Sequence, residues 1–436
     1  MEYVHTFFKI NKIKAGEIMP SPRKGIDIVL KISERCNLAC TYCYFFFQEM
    51  DTHKENTAVI KMSTVEQLVL FVRQAVDEIG LSSVNIGLHG GEPLLMKKSH
   101  FENICRTLSE GIKPYCSLKL MCQTNGTLVD DQWLAIFEKY QVHVGVSIDG
   151  PKAIHDKSRI DHNGKGSYDE TVRGIRMLAE AAKSGRIPST GALCVANVEA
   201  DGGELVKHMH QELGIKNFDL LFPREGHDSS LKQQQDKWIR YFKEVLDYWS
   251  ENQKNNKLYM NTLNRILEMM LTEQHAECLD EYKSMQHNII NVSSEGQLGV
   301  DDNILSLDNA LLDKNVTIFN TSLNQFLSSQ LWQSLITAID EKPQGCDGCE
   351  WFRSCRGGAL FNRYQRGKGF KQNTVFCETM DFIHNYIAQY LVDKGLSLEE
   401  LSNVLSKDPG YLAKNGLNTT IARAAARDVE IIRVSL

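Results

Sequence analysis

No apolar run in this 436-residue chain approaches the roughly 20 residues that cross a bilayer. The start, Met1-Glu2-Tyr3-Val4-His5, lacks the charged-then-apolar layout of a secretion signal. No membrane partner is expected, and the chain is assigned to the cytoplasm. Positive charge is also short: 49 Lys and Arg face 55 Asp and Glu, for a net charge of -6. Without a basic face there is nothing to neutralise a phosphate backbone, so nucleic acid is excluded as the expected partner and a peptide or small molecule is favoured. Internal repeats and low-complexity tracts are absent. The length suggests roughly three units of domain size.

Cysteine, by contrast, is plentiful, with 12 residues. In a reducing compartment these are thiols, metal ligands or catalytic groups before they are disulfides. Seven fall in two groups, Cys36/Cys40/Cys43 and Cys346/Cys349/Cys355 followed by Cys377. Cys105, Cys116, Cys122, Cys194 and Cys278 are scattered and read as small buried hydrophobes.

Between about residues 25 and 222, short β-rich runs alternate with helical patterns. In the first run Ile26, Ile28, Leu30 and Ile32 alternate with Asp27, Val29 and Lys31. Further strands are expected at 84–88, 118–123, 143–148, 190–195 and 218–222, with helices at 65–79, 101–109, 131–140, 169–182 and 203–213. Such alternation predicts parallel α/β architecture, an open or closed barrel; six strands make it a partial one, whose ligands bind at the carboxyl ends of the strands. A helical connector is expected over 231–288, with Trp238, Tyr241, Phe242, Val245, Leu246 and Trp249 at amphipathic spacing. A hairpin follows over 289–300, then a loop-rich module to residue 390. The tail from 391 reads as helical, with a last strand at 429–434. Residues 1–24 form an N-terminal extension.

Cys36-Asn37-Leu38-Ala39-Cys40-Thr41-Tyr42-Cys43 is CxxxCxxC just after the first strand. Three thiolates take three corners of a cubane and leave one iron open, whereas structural zinc needs a fourth protein ligand that has no candidate at finger-like spacing. The pattern resembles the radical S-adenosylmethionine (SAM) superfamily, including the aromatic Tyr42 before the last cysteine. The resemblance implies a [4Fe-4S] cluster whose open iron chelates S-adenosylmethionine, and reductive cleavage to a 5'-deoxyadenosyl radical. Gly90-Gly91-Glu92-Pro93 resembles the family's GGEP segment, where glycines permit close backbone approach and an acidic group suits the cofactor's ammonium. Asn125 in Thr124-Asn125-Gly126 and Ser147 in Ser147-Ile148-Asp149-Gly150-Pro151 are expected as further cofactor contacts. Arg159 is a bidentate partner for a carboxylate, with a surface arginine as the plain alternative. Leu220 resembles the family's apolar contact to adenine, although a core leucine has the same signature.

Cys346-Asp347-Gly348-Cys349, Cys355 six residues on, and Cys377 could close a zinc site or a cluster, and spacing alone does not choose. Following a radical SAM core, the module with Cys355-Arg356-Gly357-Gly358 resembles the SPASM extension of peptide-modifying maturases, which implies an auxiliary [4Fe-4S] cluster. A full SPASM module has two further cysteines at positions held here by Ala359 and Asp301. One auxiliary cluster is therefore expected, giving two in all. Asp302 matches the step at which anaerobic sulfatase-maturating enzymes carry a catalytic base, against an N-cap or surface role.

The resemblance implies modification of a ribosomally made precursor peptide, with a small electron donor such as flavodoxin or ferredoxin. Lys31-Ile32-Ser33-Glu34-Arg35 and Tyr44-Phe45-Phe46-Phe47, flanking the cysteine loop, look most like the XYE-type maturases. These join an aromatic ring to the β-carbon of a nearby residue as a cyclophane. Thioether formation or sulfatase-type Cys/Ser oxidation is the alternative enzyme reading, and an Fe-S or zinc scaffold the non-enzymatic one. Arg423, Arg427 and Arg433 could attract an acidic leader, against a solvated helix face.

Overall fold

Alternation of apolar and polar residues gives β1 (Gly25–Ser33) two different faces. Ile26, Ile28, Leu30 and Ile32 are at most 4% exposed and join one core with Val65, Leu68, Phe71 and Val72 of the helix Met62–Ile79. Asp27, Val29 and Lys31 take the opposite face. The next four strands repeat the division. Val84, Ile86 and Leu88 are the buried set of β2 (Ser83–Gly90), Leu120 and Cys122 of β3 (Ser117–Thr124), Val144 and Val146 of β4 (His143–Ser147). In β5 (Thr190–Val195) they are Ala192 and Cys194, while in β6 (Asn217–Leu221) Phe218, Asp219 and Leu220 are all buried. The computed structural model describes residues 25–47, 52–253, 258–271 and 288–406. The expected N-terminal extension, Cys278, the strand at 429–434 and the arginines 423, 427 and 433 lie outside them.

The six strands run parallel in sequence order, with the helices Met62–Ile79, Lys98–Ile112, Asp131–Tyr140 and Tyr168–Lys183 in the crossovers. The expected helix at 203–213 is Gly202–Lys207 followed by one wider turn, His208–Glu212. Beyond β6 lies β7 (Tyr259–Met260). On the other edge of β1 lies β8 (Ile289–Val292), also parallel, and then β9 (Leu298–Val300), antiparallel. The described sheet is thus β7-β6-β5-β4-β3-β2-β1-β8-β9, an open barrel-like sheet. The hairpin expected at 289–300 exists, and its first strand extends the barrel's own sheet.

In the connector, Trp238, Tyr241, Phe242, Val245, Leu246 and Trp249 of the helix Gln235–Asn252 are all buried, at most 2% exposed. Phe376, just before the helix Cys377–Asp393, lies 4.5 Å from Phe222 and 5.1 Å from Trp238 between ring centroids. These contacts clamp the second cysteine segment to the end of β6. Cys105, Cys116, Cys122 and Cys194 are buried, as small apolar residues would be. No described helix is long and apolar enough to cross a membrane.

Candidate active site

The first cysteine loop leaves β1 at the carboxyl end of the sheet and is stitched to the segment around Arg159. Ala39 N donates to Ile160 O at 2.7 Å and Thr41 N to Ser158 O at 2.9 Å. Its other side rests on the end of β2. A Cβ on Gly90, whose φ is +133°, would lie 2.0 Å from Ser33 O, and one on Gly91 would lie 2.3 Å from Arg35 O. The two glycines are therefore required by the cysteine loop itself, which passes where side chains would stand. Gly90→Ala is expected to cost at least about 3 kcal/mol, because backbone overlap adds to left-handed strain. An unchanged urea midpoint would refute this packing.

Glu92 is 1% exposed, and its carboxylate accepts from Leu94 N (2.9 Å), Thr124 Oγ1 (2.7 Å) and Asn125 N (2.8 Å). It ties the end of β2 to the end of β3. Asn125 continues the tie, donating from Nδ2 to Asn37 Oδ1 at 2.9 Å, beside Cys36 Sγ. Ser147 Oγ accepts from Gln123 Nε2 at 2.9 Å on the face shared with Lys31. Arg159 is 9% exposed, not a surface arginine. Its Nη1 donates to Tyr42 Oη at 2.7 Å, Tyr42 donates to Asp149, and its Nε is buried without an acceptor among the described residues. Leu220 sits in the core at 3% exposure, paired with Cys194. Its neighbour Leu221 is the half-buried residue of β6.

Burial, helped by Glu92, pushes the Cys36 thiol up to about 12, and burial raises Cys40 against the pull of Arg159. Each thiol lies within the charge field of its neighbours in the loop. The second group behaves alike: burial and the neighbouring thiols raise Cys346 to about 11, Cys349 to about 12 and Cys355 further. Cys377 opens the helix Cys377–Asp393 and lies in the same field. Left-handed Gly357 and Gly358 turn the loop, where a Cβ would meet Pro343 and Thr374 at 2.5 Å. Among the described residues no three His, Cys, Asp or Glu side chains gather round a single-ion position.

Asp301 and Asp302 divide roles. Asp301 caps the short helix Asp302–Leu305, accepting from Asn303 N at 3.0 Å. Burial and its neighbour push it up to about 6. Asp302 is 4% exposed and forms an ion pair with Lys31, itself 1% exposed. Tyr44 Oη donates to Asp302 Oδ2 at 2.6 Å, Lys31 Nζ reaches Tyr44 Oη at 3.3 Å and His89 Nδ1 at 3.1 Å, and the Arg224 guanidinium stacks 3.7 Å from the Tyr44 ring. Burial alone would raise Asp302, but Lys31 and Arg224 outweigh it and hold the carboxyl well below the usual range. Sequence reading missed Lys31, Tyr44, His89 and Arg224. The available signal was a lysine and a histidine at odd, sheet-face positions of strands with apolar even positions.

Two buried imidazoles, His155 and His384, and the half-buried His89 are held neutral. Burial, then Lys31, lowers His89 to about 3; burial, then Arg159, lowers His155 to about 3; burial lowers His384 to about 4. A depressed histidine binds fewer protons folded than unfolded, so its contribution is full above pH ~6.5 and is lost as pH falls towards the folded value. Each is expected to remove about 1.4 kcal/mol per pH unit below 6.5. Urea midpoints at pH 7.5 and 5.5 should differ clearly, and equal midpoints would contradict the neutral burial.

Residues 30–195, from β1 through the last residue of β5, match the Radical SAM superfamily model. Residues 30–195 thus carry a radical SAM segment, and the chain is an enzyme. The chain is 24% identical over 385 residues to the cysteine-type anaerobic sulfatase-maturating enzyme of Clostridium perfringens (strain 13 / Type A), covering 84% of this chain and 97% of the relative. The serine-type anaerobic sulfatase-maturating enzyme of Bacteroides thetaiotaomicron is 23% identical over 373 residues, covering 81% and 87%. The fold of this chain matches the solved structure of native anSMEcpe with bound AdoMet and Cp18Cys peptide, with a TM-score of 0.70 at 21% identity over 85% of this chain and 98% of that one. Streptococcus suis SuiB bound to precursor peptide SuiA matches with a TM-score of 0.52 at 16% identity, over 81% and 75%.

Proposed function

We propose that this radical SAM enzyme modifies a ribosomally made peptide by removing a side-chain hydrogen and joining an aromatic ring to a β-carbon. The observation that carries the peptide reading is the polar cluster of Lys31, His89, Tyr44, Arg224 and Asp302 near the same strand ends as the cysteine loop. Cys36, Cys40 and Cys43 would hold the first [4Fe-4S] cluster, and their chemistry fits it: thiols raised by burial need a nearby cation to ionise. Tyr42, Gly90, Gly91, Glu92, Pro93, Asn125, Ser147 and Arg159 are proposed to frame S-adenosylmethionine. The unpaired Nε of Arg159 suits its carboxylate, and Leu221 is a better adenine contact than Leu220. When bound, cluster and cofactor supply the carbon radical that takes the hydrogen atom. Cys346, Cys349, Cys355 and Cys377 would hold one auxiliary cluster, an electron acceptor, in the loop-rich unit proposed over 289–390.

Forming the crosslink removes two hydrogens in all: one atom, then one electron and one proton. Asp302 is proposed to take the proton. Pairing with Lys31 makes it a weak base, sufficient for an oxidised ring adduct that regains aromaticity on losing H+. The ring of Tyr44 and the guanidinium of Arg224 shield that carboxylate from water. A flavodoxin- or ferredoxin-like protein is the proposed electron donor. The similarity to sulfatase-maturating enzymes over most of their length supports a second reading, oxidation of a Cys or Ser side chain, which removes the same two hydrogens. Co-expression with a candidate precursor followed by mass spectrometry decides. Loss of two hydrogens shared between an aromatic residue and a neighbour supports crosslinking; conversion of a single Cys or Ser to an aldehyde replaces it.

A further inference from the structure

The ammonium of Lys31 has three protons and no lone pair. Its three neighbours are Asp302 Oδ2, Tyr44 Oη at 3.3 Å and His89 Nδ1 at 3.1 Å. Tyr44 uses its own proton on Asp302 Oδ2 at 2.6 Å, so its oxygen accepts from Lys31. His89 must accept as well, which leaves Nδ1 without a proton and places the ring proton on Nε2. The tautomer is fixed by a donor that cannot reverse.

Lys31 and His89 are direct partners in the parallel register of β1 and β2. His89 is half-buried, on the sheet face that carries Gln123 and Ser147 on the next two strands. Among the described residues no acceptor meets Nε2. Burial, Lys31 and Arg224 disfavour the charged ring, while Asp302, on the far side of Lys31, only partly opposes them. Resting on the peptide reading above, we propose that His89 is a substrate-binding donor, whose Nε2–H, aligned by Lys31, holds a backbone carbonyl oxygen of the peptide in the concave face. Lys31 is then a positioning residue, and the ion pair with Asp302 keeps it charged for that purpose. An uncharged donor suits a neutral amide and gives no added attraction to a carboxylate.

The test is a long-range proton–nitrogen correlation spectrum of protein labelled with 15N-histidine, with the His89 ring identified by its loss in His89→Gln. We expect Nε2 protonated and Nδ1 bare from pH 8 to 5. Lys31→Met should mix the tautomers and let the ring titrate, and Lys31→Arg, another donor-only cation, should restore the wild-type pattern. A wild-type ring protonated at Nδ1, or charged at pH 6, overturns the proposal. Added N-acetylphenylalaninamide, an uncharged amide probe, should move the Nε2–H signal, and a signal unmoved at the solubility limit also overturns it. Peptide product should fall at least tenfold in His89→Leu and recover in His89→Gln. Wild-type cleavage of S-adenosylmethionine without peptide reads the radical assignment separately. Its failure would remove that assignment and leave the spectroscopic result standing.

Discussion

Exchanging Cys36, Cys40 and Cys43 together for alanine should abolish formation of 5'-deoxyadenosine under reducing conditions and leave about half of the reconstituted iron on the protein. The first effect follows from the loop: it presents three thiols, with the glycines at 90 and 91 reserved for its backbone, and a cubane short of its cysteine ligands has no iron left to chelate the cofactor. The second follows from the separation of the cysteine groups, one after β1 and the other between Pro343 and the helix Cys377–Asp393. The converse variant, with Cys346, Cys349, Cys355 and Cys377 exchanged, should keep cofactor cleavage and lose peptide product. Cleavage surviving in the first variant would refute the cluster assignment. Complete loss of iron from it would refute the auxiliary one.

Asp302→Ala should destabilise the fold by about 3–5 kcal/mol, because it leaves the ammonium of Lys31 buried without a counter-charge. Lys31→Met with Asp302→Leu should cost far less than Asp302→Ala alone, since the pair together is replaceable by apolar groups where either half is not. A double-mutant cycle in urea should therefore give a coupling of at least about 2 kcal/mol, and additive effects would contradict the geometry. The pH window has two ends. The depressed Asp302 carboxyl contributes above its unfolded value of about 4 and loses that contribution as pH falls below it. The raised Lys31 contributes below about 10.4 and loses it as pH rises through its folded value. Between those limits the pair stays intact, and acid sensitivity near pH 6 belongs to the buried histidines.

Much of the barrel was legible because strand faces are written every second residue. Ile26, Ile28, Leu30 and Ile32 announce a buried face on their own, and all six expected strands are present within two residues of their expected bounds. The cysteine spacing was legible for the same reason: it is local. What sequence could not supply was pairing across strands. Lys31 and His89 are 58 positions apart and Lys31 and Asp302 are 271 apart, so the network exists only once β2 and β8 flank β1. The parity of β6 was equally silent: Leu220 lies in the core and Leu221 is half-buried. Asp301 and Asp302 look interchangeable in sequence. Asp301, half-buried, caps a short helix, and Asp302 pairs with Lys31.

The parallel pairing of β8 with β1 also governs the order in which the chain can fold. During synthesis the first six strands emerge long before residue 289, and until then β1 has one bare edge of unpaired amides and carbonyls. The strand that covers it arrives some 260 residues later, a contact of high sequence separation that closes late. A nascent chain halted before residue 288 would expose that edge beside its cysteine loop, open to pairing with another chain. Ribosome-bound lengths ending on either side of the hairpin should differ sharply in aggregation, with the longer one protected.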